Sequence, residues 1–223
     1  MNKGKIFQNF KLLRQPTATA SESNSDTRDI ESSHLRPSAS QNTIYSAGTP
    51  IACLDRSSDG QQAVIAGAKV FKILKIDGST ITEHLDLRAR ISSYAPTHDL
   101  SAATPEQLNI RAVKWSHGPL DSTIVTASGN GRITVYDLNR EGLEVGRIRE
   151  HARQVHQLDI SPFRGNHLLS ASQDGTVKYF DINSPQYQQG RNAPPTFKFV
   201  KDFRCNADAV RDVKWSPTDG VEF

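Results

Sequence analysis

An all-β propeller built from sequence repeats is the fold class this sequence predicts, and three features predict it. First, a unit recurs: Ile124-Val-Thr-Ala-Ser-Gly-Asn-Gly-Arg-Ile-Thr-Val-Tyr-Asp137 returns as Leu168-Leu-Ser-Ala-Ser-Gln-Asp-Gly-Thr-Val-Lys-Tyr-Phe-Asp181, an offset of 44 residues, and periods of about 40–45 indicate a propeller array. Second, each copy breaks into apolar runs of about 4–8 residues, the length of strands. Third, those runs are punctuated by Asn-Gly, Asp-Gly and Ser-Pro, with no amphipathic helix of useful length among them.

The elements follow in order. The first copy is worn: Ile51-Ala-Cys-Leu-Asp55, a turn at Asp59-Gly60, Ala63-Val-Ile-Ala-Gly67 and Val70-Phe-Lys-Ile-Leu-Lys-Ile-Asp77. In the second, Val113-Lys-Trp-Ser116 precedes the recurring unit; in the third, Glu150-His151 and Val155 to Pro162 do. A fourth copy starts at Val210-Arg-Asp-Val-Lys-Trp-Ser-Pro217. Asn130-Gly131 and Asp174-Gly175 suit tight hairpins, whose central residues need positive φ. The expected organisation is a polar disordered tail over 1–42 and a partial propeller over 43–223. Its blades fall at about 43–87, 108–149 and 150–204, with the start of the next at 205–223. Trp115 and Trp215 fall on the innermost strand of their blades and are read as core.

Composition excludes several classes. The longest apolar runs, such as Ala63 to Ala68, fall short of the roughly 20 residues that span a bilayer. Cys53 and Cys205 lie in separate repeats, which suits neither a disulfide framework nor a metal site and predicts a reducing, intracellular compartment. A formal net charge of +3, spread over interspersed residues, gives no nucleic-acid footprint. Lys3, Lys5, Lys11 and Arg14 with Phe7 and Phe10 resemble a transit peptide weakly, and the polar stretch from Thr17 to Asn42 points to a solvated tail instead.

Gly-His near the start and Trp-Asp near the end of a repeat define the WD-repeat family, which this chain resembles through Glu150-His151 and Phe180-Asp181. The resemblance implies a hydrogen-bonded network of His151, Ser170, Asp174 and Phe180, in which Phe180 keeps the aromatic packing of tryptophan but lacks its N–H. Thr126, Asn130, Tyr136 and Asp137 stand at the equivalent places of the second repeat, and Asn206 replaces the histidine in the fourth. A catalytic reading of His151 with Ser170 and Asp174 is weighed and set aside: the spacing is that of the repeat, and no nucleophile elbow occurs. The glycines of Gly129-Asn-Gly131 lack a Walker pattern and are hairpin residues. No catalytic, cofactor-binding or metal residue is assigned, and no small-molecule substrate is expected.

Ala66-Gly with Val70-Phe-Lys-Ile, Glu83-His-Leu-Asp-Leu-Arg88, Ser170-Ala-Ser-Gln-Asp-Gly175 and Val210-Arg-Asp-Val-Lys214 together resemble the restriction-of-telomere-capping WD-repeat family from about Thr49 to Gly220. Its animal counterpart is a WD-repeat RING subunit of the GATOR subcomplex; its fungal form belongs to the SEA coat complex. That resemblance implies roughly twice as many blades and a zinc-binding RING-type module beyond Phe223. It further implies a non-catalytic scaffold, other propeller and coat-complex subunits as partners, and the cytoplasmic face of the vacuolar or lysosomal membrane, reached through those partners. The process would be nutrient signalling through TOR, autophagy and trafficking. The alternative is a substrate-recognition propeller of a ubiquitin ligase. Two polar insertions, Arg88 to Gln107 and Ser184 to Pro195, read as disordered, although Tyr94, Tyr187 and Arg191 within them are of the types that anchor partners. Phe197, Phe199 and Phe203 read as the packed face of an outer strand.

Overall fold

The computed structural model describes residues 43–94, 109–187, 194–205 and 208–218. The expected tail over 1–42, most of both insertions, Arg191 and Asn206 lie outside them. Twelve strands form three four-stranded antiparallel sheets, each a meander in chain order. The first blade holds β1 (Cys53–Arg56), β2 (Gln62–Ala66), β3 (Phe71–Asp77) and β4 (Thr80–Asp86). The second holds β5 (Ile110–Trp115), β6 (Thr123–Ser128), β7 (Ile133–Asp137) and β8 (Leu143–Ile148). The third holds β9 (Val155–Ile160), β10 (His167–Ser172), β11 (Thr176–Asp181) and β12 (Phe199–Arg204).

Alternation along a strand sends successive side chains to opposite faces, and both faces of blade 2 are apolar because each meets a neighbouring blade. Val64, Ala66, Phe71 and Ile73 of blade 1 pack on Val113, Ile124 and Tyr136 of blade 2, with Phe71 edge-on to Tyr136 at 5.2 Å between ring centroids. The other face of blade 2, with Val125, Ile133 and Ile148, meets Leu158, Leu168 and Phe180 of blade 3. Trp115 and Trp215 are both buried, in the first seam and against the far face of blade 3 respectively.

Blade 1 shows what a seam contributes. Leu54, Val113 and Leu158 share one register, opposite Ile65, Thr126 and Ser170. Val113 is 4% exposed and Leu158 is 0% exposed, whereas Leu54, with no blade before it among the described residues, is 49% exposed. Leu158→Ala is therefore expected to cost about 2–5 kcal/mol and Leu54→Ala under about 1 kcal/mol in the 223-residue chain. Denaturant melts of the two variants check this, and equal costs would refute the seam assignment.

Two expectations need correction. The insertion from Arg88 does not begin as disordered chain: α1 (Leu87–Tyr94) follows β4 directly. Asp86 caps it, its carboxylate accepting from the Ala89 N–H at 2.9 Å, and Leu87 is fully buried, with Ile91 packed against the same core. The signal was present as an N-cap residue followed by apolar positions four apart. Secondly, Val210 to Ser216 does not form a strand. It is tied down at points: the Val210 N–H donates to the Ser172 carbonyl at 2.9 Å, and Val213 and Trp215 are buried against blade 3. No second strand lies beside it among the described residues, so it has no ladder to join.

Candidate functional site

Of the residues singled out in the third repeat, His151, Ser170 and Asp174 converge on one buried knot. The β10–β11 turn places Gly175 at φ +80°, and Asp174 beside it spreads both carboxylate oxygens over the neighbouring backbone and side chains. One oxygen accepts from the Thr176 N–H at 3.1 Å and the Thr176 hydroxyl at 2.6 Å. The other accepts from the Ala152 N–H at 3.0 Å and from His151 Nδ1 at 2.9 Å. His151 Nε2 lies 2.6 Å from Ser170 Oγ. An ionised carboxylate can only accept, so the imidazole proton sits on Nδ1, and Nε2 then accepts from the Ser170 hydroxyl. Burial lowers the His151 pKa, outweighing the pull of Asp174 in the other direction. For Asp174, burial acts to raise the pKa, but hydrogen bonds from Thr176, His151 and Ala152 prevail and hold it at about 2. Phe180 is fully buried in the core that joins blades 2 and 3.

The second repeat builds its equivalent differently. Asn130 Oδ1 accepts from the Ser128 hydroxyl at 2.6 Å and the Arg132 N–H at 3.1 Å, reproducing the turn but not the histidine bridge. Tyr136, at the register position of Phe180, shares hydrogen bonds with Thr126 and Thr134, and its burial raises the phenol pKa. Asp137 and Asp181 both brace the bend after the third strand. Asp137 accepts from the Ser122 hydroxyl and the Asn139 N–H, each at 3.0 Å; Asp181 accepts from the Asn166 amide at 2.8 Å and the Asn183 N–H at 2.9 Å.

Thr176 belongs to the knot and was missed, although a hydroxyl residue two places after a turn aspartate is a recognisable Asx-type signal. Also unforeseen is a buried charge cluster on the second blade, where Arg132 donates to both Glu144 oxygens at 2.8–2.9 Å and Arg147 Nε reaches the same carboxylate. Its members stand just before β7 (Arg132) and on β8 (Glu144 and Arg147) and carry no motif.

Serine, histidine and aspartate at these distances have the outline of a hydrolytic triad. Burial decides against that chemistry. Ser170 and the His151 side chain are both 0% exposed, so no substrate reaches the hydroxyl, and the arrangement clamps β10 and the chain entering β9 to the turn. A cleft of about 370 Å³ opens elsewhere, between blades 1 and 2, lined by Ser57, Asp59, His84, Asp121 and Asn139 among others.

Of the residues read as possible anchors, Tyr187 is 77% exposed beside the Gln186–Thr196 bridge, and Tyr94 ends α1. Phe197 is buried with its ring over Gly146. Phe199 is half-exposed beneath the Lys178 ammonium, 4.2 Å from the ring centroid, and Phe203 packs on the far face of blade 3. Among the described residues no helix is long and apolar enough to cross a membrane, and no group of three or more His, Cys, Asp and Glu side chains is placed to hold a metal ion.

Antiparallel four-stranded blades packed face to face, one of them closed by a buried histidine–serine–aspartate knot, are the architecture of WD-repeat blades. The WD domain, G-beta repeat family matches residues 142–181. The homologues of this chain include the GATOR2 complex protein Wdr24 of Drosophila melanogaster, 32% identical over 164 residues, or 72% of this chain and 18% of that protein. The human GATOR2 complex protein WDR24 is 30% identical over 167 residues, covering 74% and 18% respectively. Restriction of telomere capping protein 1 of Candida tropicalis is 30% identical over 163 residues, covering 71% and 13%. The chain thus spans less than a fifth of the length of these relatives. Among solved structures, a chain in the crystal structure of the Mitotic Checkpoint Complex shares the fold with a TM-score of 0.50 at 18% identity, over 74% of this chain and 41% of that one.

Proposed function

We propose that this chain is a propeller scaffold of a multisubunit coat of the SEA or GATOR type. It works on the cytoplasmic face of the vacuolar or lysosomal membrane, in nutrient signalling through TOR, autophagy and trafficking. The observation that carries the reading is its similarity to GATOR2 complex protein Wdr24, which extends over 72% of the chain, far beyond a single shared repeat. A rigid array of blades suits such a role, because partners can dock on loops and edges without disturbing the packed seams. Its partners are other propeller and coat subunits, and they bring it to the membrane; no nucleic acid and no small-molecule substrate is involved.

Affinity purification of the tagged full-length protein from its own cells is the test. The expected result is stoichiometric recovery of other propeller subunits. Recovery of a cullin adaptor in their place would overturn the coat assignment in favour of a ubiquitin-ligase substrate receptor.

A further inference from the structure

The innermost strand of each blade has a free side. Among the described residues, β1, β5 and β9 form backbone ladders only with β2, β6 and β10, and they lie next to one another from blade to blade. Backbone N–H groups on that free side need water or another acceptor. At two places the acceptor is a carboxylate from the preceding blade: Asp55 Oδ2 accepts from the Trp115 N–H, and Asp159 Oδ2 from the Trp215 N–H, both at 2.9 Å.

These bonds follow a pattern. Asp55, Lys114 and Asp159 occupy one register position, opposite Val64, Val125 and Leu169. Lys214 stands at the same place in Val213-Lys-Trp-Ser216, which repeats Val113-Lys-Trp-Ser116 residue for residue. Along the chain the position therefore alternates Asp, Lys, Asp, Lys, and tryptophan follows only the lysines. A lysine donates and cannot accept, so blade 2 has no means of holding the next inner strand in this way. Its Lys114 instead turns to Asp159 at 3.2 Å, and Lys214 approaches the same carboxylate at 3.5 Å. Blades 2 and 3 are joined by different contacts: the Ser116 hydroxyl donates to the Gly165 carbonyl, and His117 Nε2 donates to the Ser161 carbonyl, each at 2.8 Å.

We propose that Asp55 and Asp159 are positioning residues that key each Asp-bearing blade to the Lys-Trp blade after it, making a two-blade module the building unit of this propeller. Blade 1 with blade 2 is one module; blade 3 with the segment from Val210 to Ser216 begins the second. Within a module the seam is latched by a carboxylate-to-backbone hydrogen bond. Between modules it rests on the lysine ion pair and close backbone approach. The alternation also selects order: an Asp blade set after another Asp blade would bring two carboxylates together with no lysine between them, which disfavours that arrangement.

Native-state amide exchange in the full chain, read at Trp115 and Trp215, tests the proposal. In Asp55→Ala the Trp115 amide should exchange about tenfold faster while Trp215 is unchanged, and Asp159→Ala should show the reverse. Asp55→Asn and Asp159→Asn keep an accepting oxygen and should restore most of the protection. In Asp159→Asn the salt dependence of Trp215 exchange should also vanish, because Lys114 and Lys214 have lost their counter-charge. No change at the cognate amide, or equal loss at both amides without recovery in the asparagine variant, overturns the proposal. Where an alanine variant fails to fold, the asparagine pair decides, and an unaltered salt dependence in Asp159→Asn is then sufficient to overturn it.

Discussion

Gly131→Ala is expected to open the seam between blades 2 and 3, at a cost of about 3–4 kcal/mol. Two terms combine. Gly131 adopts φ +83°, where an L side chain is strained, and a Cβ there would stand 2.6 Å from the Arg153 carbonyl oxygen and 2.7 Å from that of His151. Both obstacles are backbone, so neither can swing aside, and the segment they belong to is the one that delivers His151 to its knot. Relief of the clash therefore means displacing the histidine from Asp174 and Ser170. Gly118→Ala separates the terms, because Gly118 has φ +64° but nothing within 4 Å of its Cβ position; it should cost only the conformational strain, about 1–2 kcal/mol. Denaturant unfolding of the two variants makes the comparison. Equal losses would show that the close approach contributes nothing and that the seam is soft at this point.

Much of the fold was legible because the repeat and the turn chemistry agree. Asn130-Gly131 and Asp174-Gly175 announce hairpins, apolar runs on either side announce strands, and an offset of 44 residues between the copies announces blades. His151, Ser170, Asp174 and Phe180 stand out through the resemblance to the WD repeat, and His151 lies within hydrogen-bond distance of both Asp174 and Ser170. What escaped was set by tertiary partners. Leu87 looks like the end of a strand, and although Asp86 offers a cap, it is the core shared by blades 1 and 2 that gives α1 a place to bury Leu87 and Ile91. Asp55 and Asp159 look like ordinary polar alternation, because a lone aspartate in a strand says nothing of an N–H on the next blade. Arg132, just before β7, meets Glu144 and Arg147 of β8 only once the two strands have paired, and periodicity alone leaves that register open. Residues 210–216 read as a strand from composition, yet a strand is defined by its ladder, and composition does not supply one.

Asp174→Ala is expected to cost more than Asn130→Ala, although the two residues occupy the same turn position in consecutive blades. Asp174 accepts four hydrogen bonds, two from the Thr176 backbone and hydroxyl, one from the Ala152 N–H and one from His151; Asn130 accepts two at its Oδ1. Charge-assisted bonds are worth about twice neutral ones, and truncation leaves the buried His151 N–H without its carboxylate, so about 2–3 kcal/mol is expected for Asp174 against about 1 kcal/mol for Asn130. The acid limb distinguishes the two further. Asp174 has its pKa lowered from 3.8 to about 2 on folding, so its ionised form stabilises the native state fully above the unfolded value, and that contribution is lost as pH falls through the folded value. His151 acts in the same direction at higher pH. Its folded pKa is also lowered, so stability declines as pH drops below the ordinary histidine range, where the unfolded chain takes up a proton that the buried imidazole resists. The part of the gap between wild type and Asp174→Ala that comes from the Asp174 charge should therefore be fully present above the ordinary carboxylate range and be lost as pH falls from about 4 toward about 2, while the Asn130→Ala cost stays flat. Thermal melts of the three proteins across that range are the measurement. Equal or reversed costs, or a gap that does not narrow in acid, would mean that the knot around His151 contributes packing alone.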